Sequence, residues 1–130
     1  MCPNVKRYRL IPLTLLSGQT LRGDPGVYGY ITAKHAQTGL MRVLAKGLAP
    51  RGIRVNTINP GPVANAFQQA VEHDLTKIIH RDATQFFDEA IPMGRHATPQ
   101  EIARSVLYLA SDLSAFITGT THSVDGGMSI

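Results

Sequence analysis

The sequence predicts an α/β fold built on a parallel sheet, and three observations support this class. Short apolar runs rich in β-branched residues alternate with stretches in which apolar residues recur at helical spacing. Clusters of glycine and proline separate these segments. Of the 130 residues, 43% are hydrophobic and 17% are charged, so the chain has enough apolar surface to form a core. Strands that alternate with helices favour parallel pairing with right-handed crossovers.

The first apolar run, Leu10–Leu16, is consistent with a buried strand that follows an irregular start. Pro12 argues against a central place for this strand in the sheet, because proline cannot donate a ladder hydrogen bond. The segment Ser17–Gly29 holds four glycines and one proline, and it is predicted to be a loop.

The longest helix is predicted from about Tyr28 to Ala49, and Pro50–Gly52 ends it. Its small and apolar residues recur at threes and fours: Ala33, Ala36, Leu40, Val43, Leu44, Gly47 and Leu48. The β-branched segment Ile53–Ile58 is predicted to be a strand, which the turn-forming sequence Asn59–Pro62 breaks.

Residues 64–92 are mixed in pattern and predict one or two helices over a mobile segment. Thr98 then marks a helix start, because Pro99 fits a first turn and Glu101 can complete a capping box. The expected buried side of this helix comprises Ile102, Val106, Leu107, Leu109 and Ala110.

A last strand is predicted over Thr120–Val124. It is closed by Asp125, which we expect to fix a turn with Gly126 and Gly127.

Composition argues against several classes of protein. No run of 18 or more apolar residues is present, so we expect no membrane span. We also expect no secretory leader, since no long apolar stretch precedes Pro12. The single cysteine, Cys2, excludes an intrachain disulfide. The expected location is therefore the cytoplasm.

The net charge of +4 is unevenly distributed along the chain. Residues 1–54 hold nine basic residues and one acidic residue, whereas residues 55–130 hold four basic and eight acidic. A basic half can bind nucleic acid through phosphate contacts. Because no basic cluster is interleaved with aromatic residues, we interpret it as a solvated or subunit-contact face and expect no nucleic-acid partner.

Tyr30 and Lys34 are four residues apart at the start of the long helix, so their side chains share one face. A nearby ammonium favours the phenolate form of tyrosine, and such a tyrosine can exchange a proton with an alcohol or carbonyl oxygen. Tyr28 is the competing tyrosine, but Thr32 stands four residues after it. The pair alone is equally consistent with a surface tyrosine beside a solvated lysine.

Two further features accompany this pair. Ser17 stands thirteen residues before Tyr30, where an apolar run meets a glycine-rich loop, and its hydroxyl could bond the same substrate oxygen. The predicted strand Ile53–Ile58 runs into a Pro-Gly turn, and open α/β sheets bind ligands beyond the carboxyl ends of their strands.

Together these residues resemble the short-chain dehydrogenase/reductase family. The matching segments are Ser17, Tyr30 through Ala36, Gly52 through Asn56, Asn59 through Gly61, and Val124 through Gly127. The resemblance covers about residues 13–130, with residues 1–12 as an irregular lead-in. It implies the C-terminal part of a Rossmann-type doubly wound parallel sheet, with about three strands and flanking helices.

The resemblance also implies an NAD(P)-dependent oxidoreductase that interconverts an alcohol and a carbonyl by hydride transfer. In the family, the tyrosine is the proton donor or acceptor, the lysine lowers its pKa and holds the nicotinamide ribose, and the serine positions the substrate oxygen. These catalytic roles map onto Tyr30, Lys34 and Ser17. The substrate would be a small alcohol or carbonyl compound.

The family's Pro-Gly turn lies beside the nicotinamide ring, which implies that Pro60, Gly61 and Val63 bind cofactor together with Tyr30 and Lys34. Many members have threonine two residues after that valine, where this sequence has Asn65, whose amide could replace the hydroxyl contact. No two glycines are separated by a single residue, so the family's glycine-rich dinucleotide fingerprint is absent. We therefore expect the N-terminal dinucleotide-binding half to be missing and activity to require it.

Other candidates are weaker. His73 and His80 are seven residues apart but lack further ligands at metal spacing, so we expect no metal site. We expect His96 and His122 to be structural. A set of apolar residues could line a substrate pocket or simply form core: Phe67, Phe86, Phe87, Ile91 and Met93.

The alternative function is a non-catalytic remnant that acts as an oligomerisation or partner-binding piece. The resemblance implies dimers or tetramers that use the long helix and the last strand, so a homo-oligomer or self-associating chain is expected in either case.

Overall fold

The computed structural model describes residues 27–130 and, as a strand without its side chains, residues 9–15. The elements in chain order are β1 (Arg9–Leu15), α1 (Tyr28–Leu48), β2 (Ile53–Pro60), α2 (Ala66–Ile79), α3 (Ala83–Ala90), α4 (Pro99–Ala110) and β3 (Thr121–Val124). Short 3₁₀ turns, Ala49–Arg51 and Asp112–Ser114, follow α1 and α4. The predicted α/β class is confirmed. Residues 17–26 of the predicted loop Ser17–Gly29 lie outside the described residues.

The three described strands form one parallel sheet in the order β1-β2-β3. Leu10 pairs with Arg54 on one side of β2, and Thr57 through Pro60 pair with Thr121 through Val124 on the other. Because β2 is central in this sheet, all of its residues but the first are buried. Its last two residues, Asn59 and Pro60, still belong to the strand, so the predicted break after Ile58 comes two residues too early.

Strand β1 begins at Arg9, inside the range expected to be irregular. Pro12 pairs with Asn56, and the register then shifts before Leu15 pairs with Ile58. A proline that cannot donate to the ladder is compatible with this irregular strand, which is at the edge of the described sheet.

Helix α1 packs against β2 through Met41 and Ala45, which are buried with Val55. The helical period predicted the helix and its end, but the small and apolar residues on α1 divide between two faces. One set is exposed and faces away from the sheet: Ala33, Ala36, Leu40, Val43 and Gly47. We name this set the outer stripe.

On the other face of β2, Arg54 is buried and its guanidinium reaches the end of α4. It donates to the carbonyl oxygens of Leu109 at 2.7 Å, Ser111 at 3.3 Å and Ile117 at 3.2 Å. A cation is favourable at the negative end of a helix, where the last carbonyls have no partners within the helix. The contact fixes α4 against the central strand.

Helix α4 begins with the predicted capping box. Thr98 Oγ1 accepts from the Glu101 N–H at 3.3 Å, and Glu101 Oε2 accepts from the Thr98 N–H at 2.7 Å. The expected buried side is only partly right, because Ile102 and Leu109 are buried whereas Val106, Leu107 and Ala110 are exposed. Ile102 and Leu109 lie two turns apart on one line, and at about 100° per residue Leu107 and Ala110 point away from that line. Val106 is within about 40° of Ile102, yet it is 38% exposed because it lies at the margin of the packed face.

The segment 64–92 forms two helices, α2 and α3, within the predicted range of one or two. Asn65 caps α2 by accepting from the Gln68 N–H at 2.9 Å, and Asp82 caps α3 by accepting from the Gln85 N–H at 2.8 Å. Both capping residues are of the types that satisfy unpaired N–H groups at a helix start. These two helices form the side of the molecule next to the carboxyl ends of β2 and β3.

Candidate functional site

Tyr30 and Lys34 lie on the first two turns of α1 and face one another. The ammonium Nζ of Lys34 is 5.5 Å from the centroid of the Tyr30 ring. Tyr30 is 43% exposed, so its ring is accessible while one face contacts protein. The predicted pairing of a phenol and an ammonium at spacing four is thus present in the structure.

The carboxyl end of β2 lies beside this pair. The N–H of Gly61 donates to the Val124 carbonyl at 3.1 Å, which brings the ends of β2 and β3 together. A Cβ on Gly61 would lie 2.9 Å from the Cα of Asp125, so this position requires glycine. The glycine of the Pro-Gly turn is therefore needed because the backbones of Gly61 and Asp125 lie so close together.

The turn after β3 completes the base of the site. Asp125 Oδ1 accepts from the Gly127 N–H at 3.1 Å, as predicted for a turn-fixing aspartate. Gly126 has a positive φ of 63°, and its carbonyl accepts from the Met93 N–H at 3.1 Å. This turn places Met128 in a buried cluster with Phe87 and Ile91.

A cavity of about 420 Å³ opens between these elements. Its described lining is Val27, Tyr30, Pro60, Gly61, Pro62, Phe67, Gln68, Val71, Phe87 and Met128. Apart from the Tyr30 hydroxyl, the amide of Gln68 is the polar side-chain group of this described lining. The cavity combines an apolar wall with two polar side-chain groups, which is typical of small-molecule sites.

The apolar residues of segment 64–92 divide between pocket and core. Phe67 and Phe87 line the cavity, whereas Ile91 and Met93 line a second cavity of about 370 Å³ beside α4. Phe86 is exposed at 40%, with the guanidinium of Arg81 5.2 Å from its ring centroid. Phe87 and Ile91 also belong to the buried cluster with Met128, so for Phe87 both interpretations offered by the sequence apply.

The structure brings together Tyr30, Lys34, Pro60 and Gly61 among the predicted site residues. Val63 bridges to Ala97 and does not line the described cavity, and the Oδ1 of Asn65 is occupied by capping α2. Ser17 lies outside the described residues.

Sequence reasoning missed Gln68, Val71 and Met128 as residues of the cavity. Gln68 and Val71 are separated by three residues on α2, a spacing that places them on one helix face. The signal was therefore present in the spacing, but the direction of that face depends on how α2 packs.

Within the described ranges, no cluster of three or more histidine, cysteine, aspartate or glutamate side chains has the arrangement of a metal site. His73 and His80 are exposed, and His80 ends α2 with a positive φ of 54°. Among the described helices, none has the length and apolar character that crossing a membrane requires.

A family model described as enoyl-(acyl carrier protein) reductase matches residues 7–129. The 3-oxoacyl-(acyl-carrier-protein) reductase FabG of Aquifex aeolicus is 37% identical over 120 residues, which is 92% of this chain and 44% of that protein. The enzyme of the same name from Chlamydia trachomatis is 40% identical over 108 residues, which is 83% of this chain and 40% of that protein. The chain thus spans less than half the length of these curated relatives.

Solved structures agree with this match. A short chain dehydrogenase family protein from Francisella tularensis superposes with a TM-score of 0.87 at 31% identity, over 95% of this chain and 52% of that one. A 3-ketoacyl-(acyl-carrier-protein) reductase from Brucella melitensis, complexed with NADH, gives a TM-score of 0.78 at 28% identity, over 95% of this chain and 45% of that one.

Proposed function

Because the chain belongs to the short-chain dehydrogenase/reductase family, we propose that Tyr30 exchanges a proton with the oxygen of an alcohol or carbonyl substrate in an NAD(P)-dependent oxidoreductase. The observation that carries the proposal is the position of Lys34 Nζ, 5.5 Å from the Tyr30 ring at the edge of an apolar cavity. Neither feature alone would distinguish a catalytic tyrosine from a surface one.

The chemistry follows from the two side chains. A phenol has an ordinary pKa of about 10 and exchanges protons poorly near neutral pH. A neighbouring ammonium stabilises the phenolate, which makes a tyrosine a better acid and base. Tyr30 would give its proton to the carbonyl oxygen during reduction and take the proton from the alcohol during oxidation.

NAD or NADP would supply or accept the hydride when bound. The described residues fit the nicotinamide end of such a cofactor in chemistry: Tyr30 and Lys34 offer polar groups, and the Pro60–Gly61 turn offers an apolar wall beside them. Val63 and Asn65 belong to the same proposed cofactor contacts, although Asn65 also caps α2. The serine role proposed for Ser17 completes the catalytic set.

The substrate we propose is a carbonyl or alcohol compound with an apolar body. Seven carbon-rich side chains (Val27, Pro60, Pro62, Phe67, Val71, Phe87 and Met128) line the described cavity. The relatives in Aquifex aeolicus and Chlamydia trachomatis are named as 3-oxoacyl reductases, whose name implies a carbonyl on an acyl chain.

Replacing Tyr30 with phenylalanine tests the proposal. The chains are compared at about 1 mM NADPH, because dinucleotide binding by this chain is expected to be weak. The Tyr30→Phe variant should lose at least about a hundredfold in the rate of NADPH oxidation with a ketone, because general acid–base catalysis contributes roughly 10²–10⁴-fold. Tyr28→Phe is the matched control, since Tyr28 is 74% exposed on the same helix turn and should keep wild-type activity. A measurable wild-type turnover that Tyr30→Phe matches would exclude the proposed role.

A second function is favoured by the outer stripe of α1. Leu40 and Val43 are exposed at 51% and 70%, and such an apolar face is typical of protein contacts. We propose that a second copy of the chain covers this face, as expected for a homo-oligomer. A chain that self-associates but lacks turnover would match the alternative of an oligomerisation piece.

A further inference from the structure

A group of titratable side chains joins α2, α3 and the segment before α4, outside the Tyr30 pair. His96 lies between two carboxylates: its Nε2 is 2.6 Å from Glu72 Oε1 on α2, and its Nδ1 is 2.7 Å from Asp88 Oδ1 on α3. The His96 and Glu72 side chains are about 10% exposed, so their contact is largely shielded from water, whereas the Asp88 side chain is 35% exposed. We name Glu72, Asp88 and His96 the histidine clasp.

The geometry of the clasp requires a specific protonation state. An ionised carboxylate can only accept hydrogen bonds, so each ring nitrogen of His96 must carry a hydrogen to bond it. Both contacts therefore form together when the imidazole is positively charged. A neutral imidazole can donate to one carboxylate only.

Glu72 is the centre of this arrangement. Burial raises the pKa of its carboxyl group, but hydrogen bonds from Gln68, Thr84 and His96 outweigh burial and hold the pKa below its ordinary value. The Gln68 Nε2 donates to Glu72 Oε1 at 2.9 Å, and the Thr84 Oγ1 donates to Glu72 Oε2 at 2.7 Å. Glu72 thus stays ionised well into the acidic range.

The other charged groups on these elements have partners of their own or are exposed. Exposed ion pairs join Lys77 with Asp74, Arg81 with Glu89, and Arg95 with Glu101. His73 is exposed on α2, and Asp82 caps α3. Among the described residues, His96 is the basic side chain that contacts Glu72.

The clasp is connected to the cavity at two points. Gln68 lines the cavity and holds Glu72 with its amide nitrogen, which leaves its carbonyl oxygen and second N–H for another partner. Phe87 also lines the cavity, and its ring meets the His96 ring edge-on at a centroid distance of 6.2 Å. Two residues of the cavity wall, Gln68 and Phe87, are therefore in contact with the histidine clasp.

We propose that His96 is a positioning residue which, as its imidazolium, holds Glu72 and so orients the Gln68 amide to bond a second polar group of the substrate. The substrate class is then a carbonyl compound with an apolar body and a further hydrogen-bonding group near the reacting oxygen. This specificity rests on the proposed function, whereas the clasp itself does not.

The experiment compares the ¹⁵N-labelled full chain as wild type, His96→Gln and His73→Gln by NMR at one pH. The side-chain amide signal of Gln68 should keep its wild-type position in the matched control His73→Gln, because the bond from Gln68 Nε2 to Glu72 is intact there. In His96→Gln the signal should shift towards that of an amide in water, because Glu72 is no longer held. A Gln68 signal that is the same in His96→Gln and in the wild type would overturn the proposal.

If His96→Gln fails to fold, Glu72→Gln is the second variant: it should shift the Gln68 signal in the same direction, and an unchanged signal would overturn the proposal. For specificity, ethyl acetoacetate carries a second oxygen-bearing group and cyclohexanone does not. His96→Gln should weaken ethyl acetoacetate binding by about tenfold, as expected for one hydrogen bond, and change cyclohexanone binding less than about twofold. Equal effects on both ketones would contradict the role of Gln68.

These readouts separate the clasp from the proposed reaction. If Tyr30→Phe retains turnover, the proposed catalysis fails. The NMR shifts and the two binding measurements on the same chain still support or overturn the positioning role of His96.

Discussion

Gly61 and Asp125 meet where β2 and β3 end, with only 2.9 Å between the Asp125 Cα and the place a Gly61 Cβ would occupy. The contact lies at the base of the cavity that contains Tyr30. The backbone of Asp125 also contributes its carbonyl oxygen, which would be 3.2 Å from the same Cβ, so the neighbour cannot move away as a flexible side chain would.

Gly61→Ala is therefore expected to destabilise the chain by about 1–3 kcal/mol, the usual cost of inserting a group into a close-packed site. Urea unfolding measures this change. Gly39→Ala is the matched control, because nothing lies within 4 Å of its added Cβ near the middle of α1. That control should stabilise the helix by about 1 kcal/mol, and equal effects of the two substitutions would contradict the close contact.

Glu101 makes the start of α4 sensitive to acid. The Arg95 guanidinium and the Thr98 backbone N–H hold the pKa of Glu101 at about 2, below its ordinary value of 4.5. Because the folded pKa is lowered, the stabilisation is complete above pH 4.5 and is lost as pH falls towards 2. Glu101→Gln should lower Tm near neutral pH, and its difference from wild type should vanish at the acidic end.

Arg95→Met provides the control for this prediction, since the Arg95–Glu101 ion pair is the largest cause of the lowered pKa. Glu101→Gln should have a smaller effect on Tm in the Arg95→Met background than in the wild type. An effect of Glu101→Gln that does not depend on pH would show that the carboxylate charge has no part in the cap.

The outer stripe of α1 is expected to mediate contacts between copies of the chain. Replacing both Leu40 and Val43 with glutamate should lower the mass measured by light scattering, because the charges would have to be desolvated in the contact. Ile78→Glu is the control, since Ile78 is 73% exposed on α2, away from the stripe. A monodisperse wild-type monomer would rule out this interface.

Binding of the dinucleotide by this chain is expected to be weak. Its sequence contains no two glycines with a single residue between them, so it lacks the loop that holds a pyrophosphate in this family. A fluorescence titration with NADPH should show an affinity weaker than micromolar. Micromolar binding would mean that other residues hold the phosphates.

Local sequence determines the bounds of α1 and the cap of α4, because Pro50, Gly52, Thr98 and Pro99 act on their immediate neighbours. It does not determine which face of each helix packs on the sheet. In α1, Met41 and Leu40 belong to two different apolar stripes. Only the packing against Val55 shows that the stripe with Met41 is the buried one. In α4 the same uncertainty made the predictions for Val106 and Leu107 wrong.

The candidate site shows the same division. Tyr30, Pro60 and Gly61 could be placed together because helix starts and strand ends meet at one edge of a parallel sheet. Gln68 and Met128 could not be placed, since they reach the cavity through the packing of α2 and of the turn after β3. The roles of all the predicted site residues stay predictions: Ser17, Tyr30, Lys34, Pro60, Gly61, Val63 and Asn65.

Arg54 affects which parts of the molecule unfold together. This one side chain of the central strand binds the carbonyl groups of Leu109, at the end of α4, and of Ser111 and Ile117, which follow it. All three acceptors are more than 50 residues from Arg54 in the sequence. None of these segments can leave the sheet without depriving the buried guanidinium of hydrogen-bond acceptors, and a buried charge without partners is costly. Amide hydrogens of β2 and of the last turn of α4 should consequently exchange with solvent in one cooperative event.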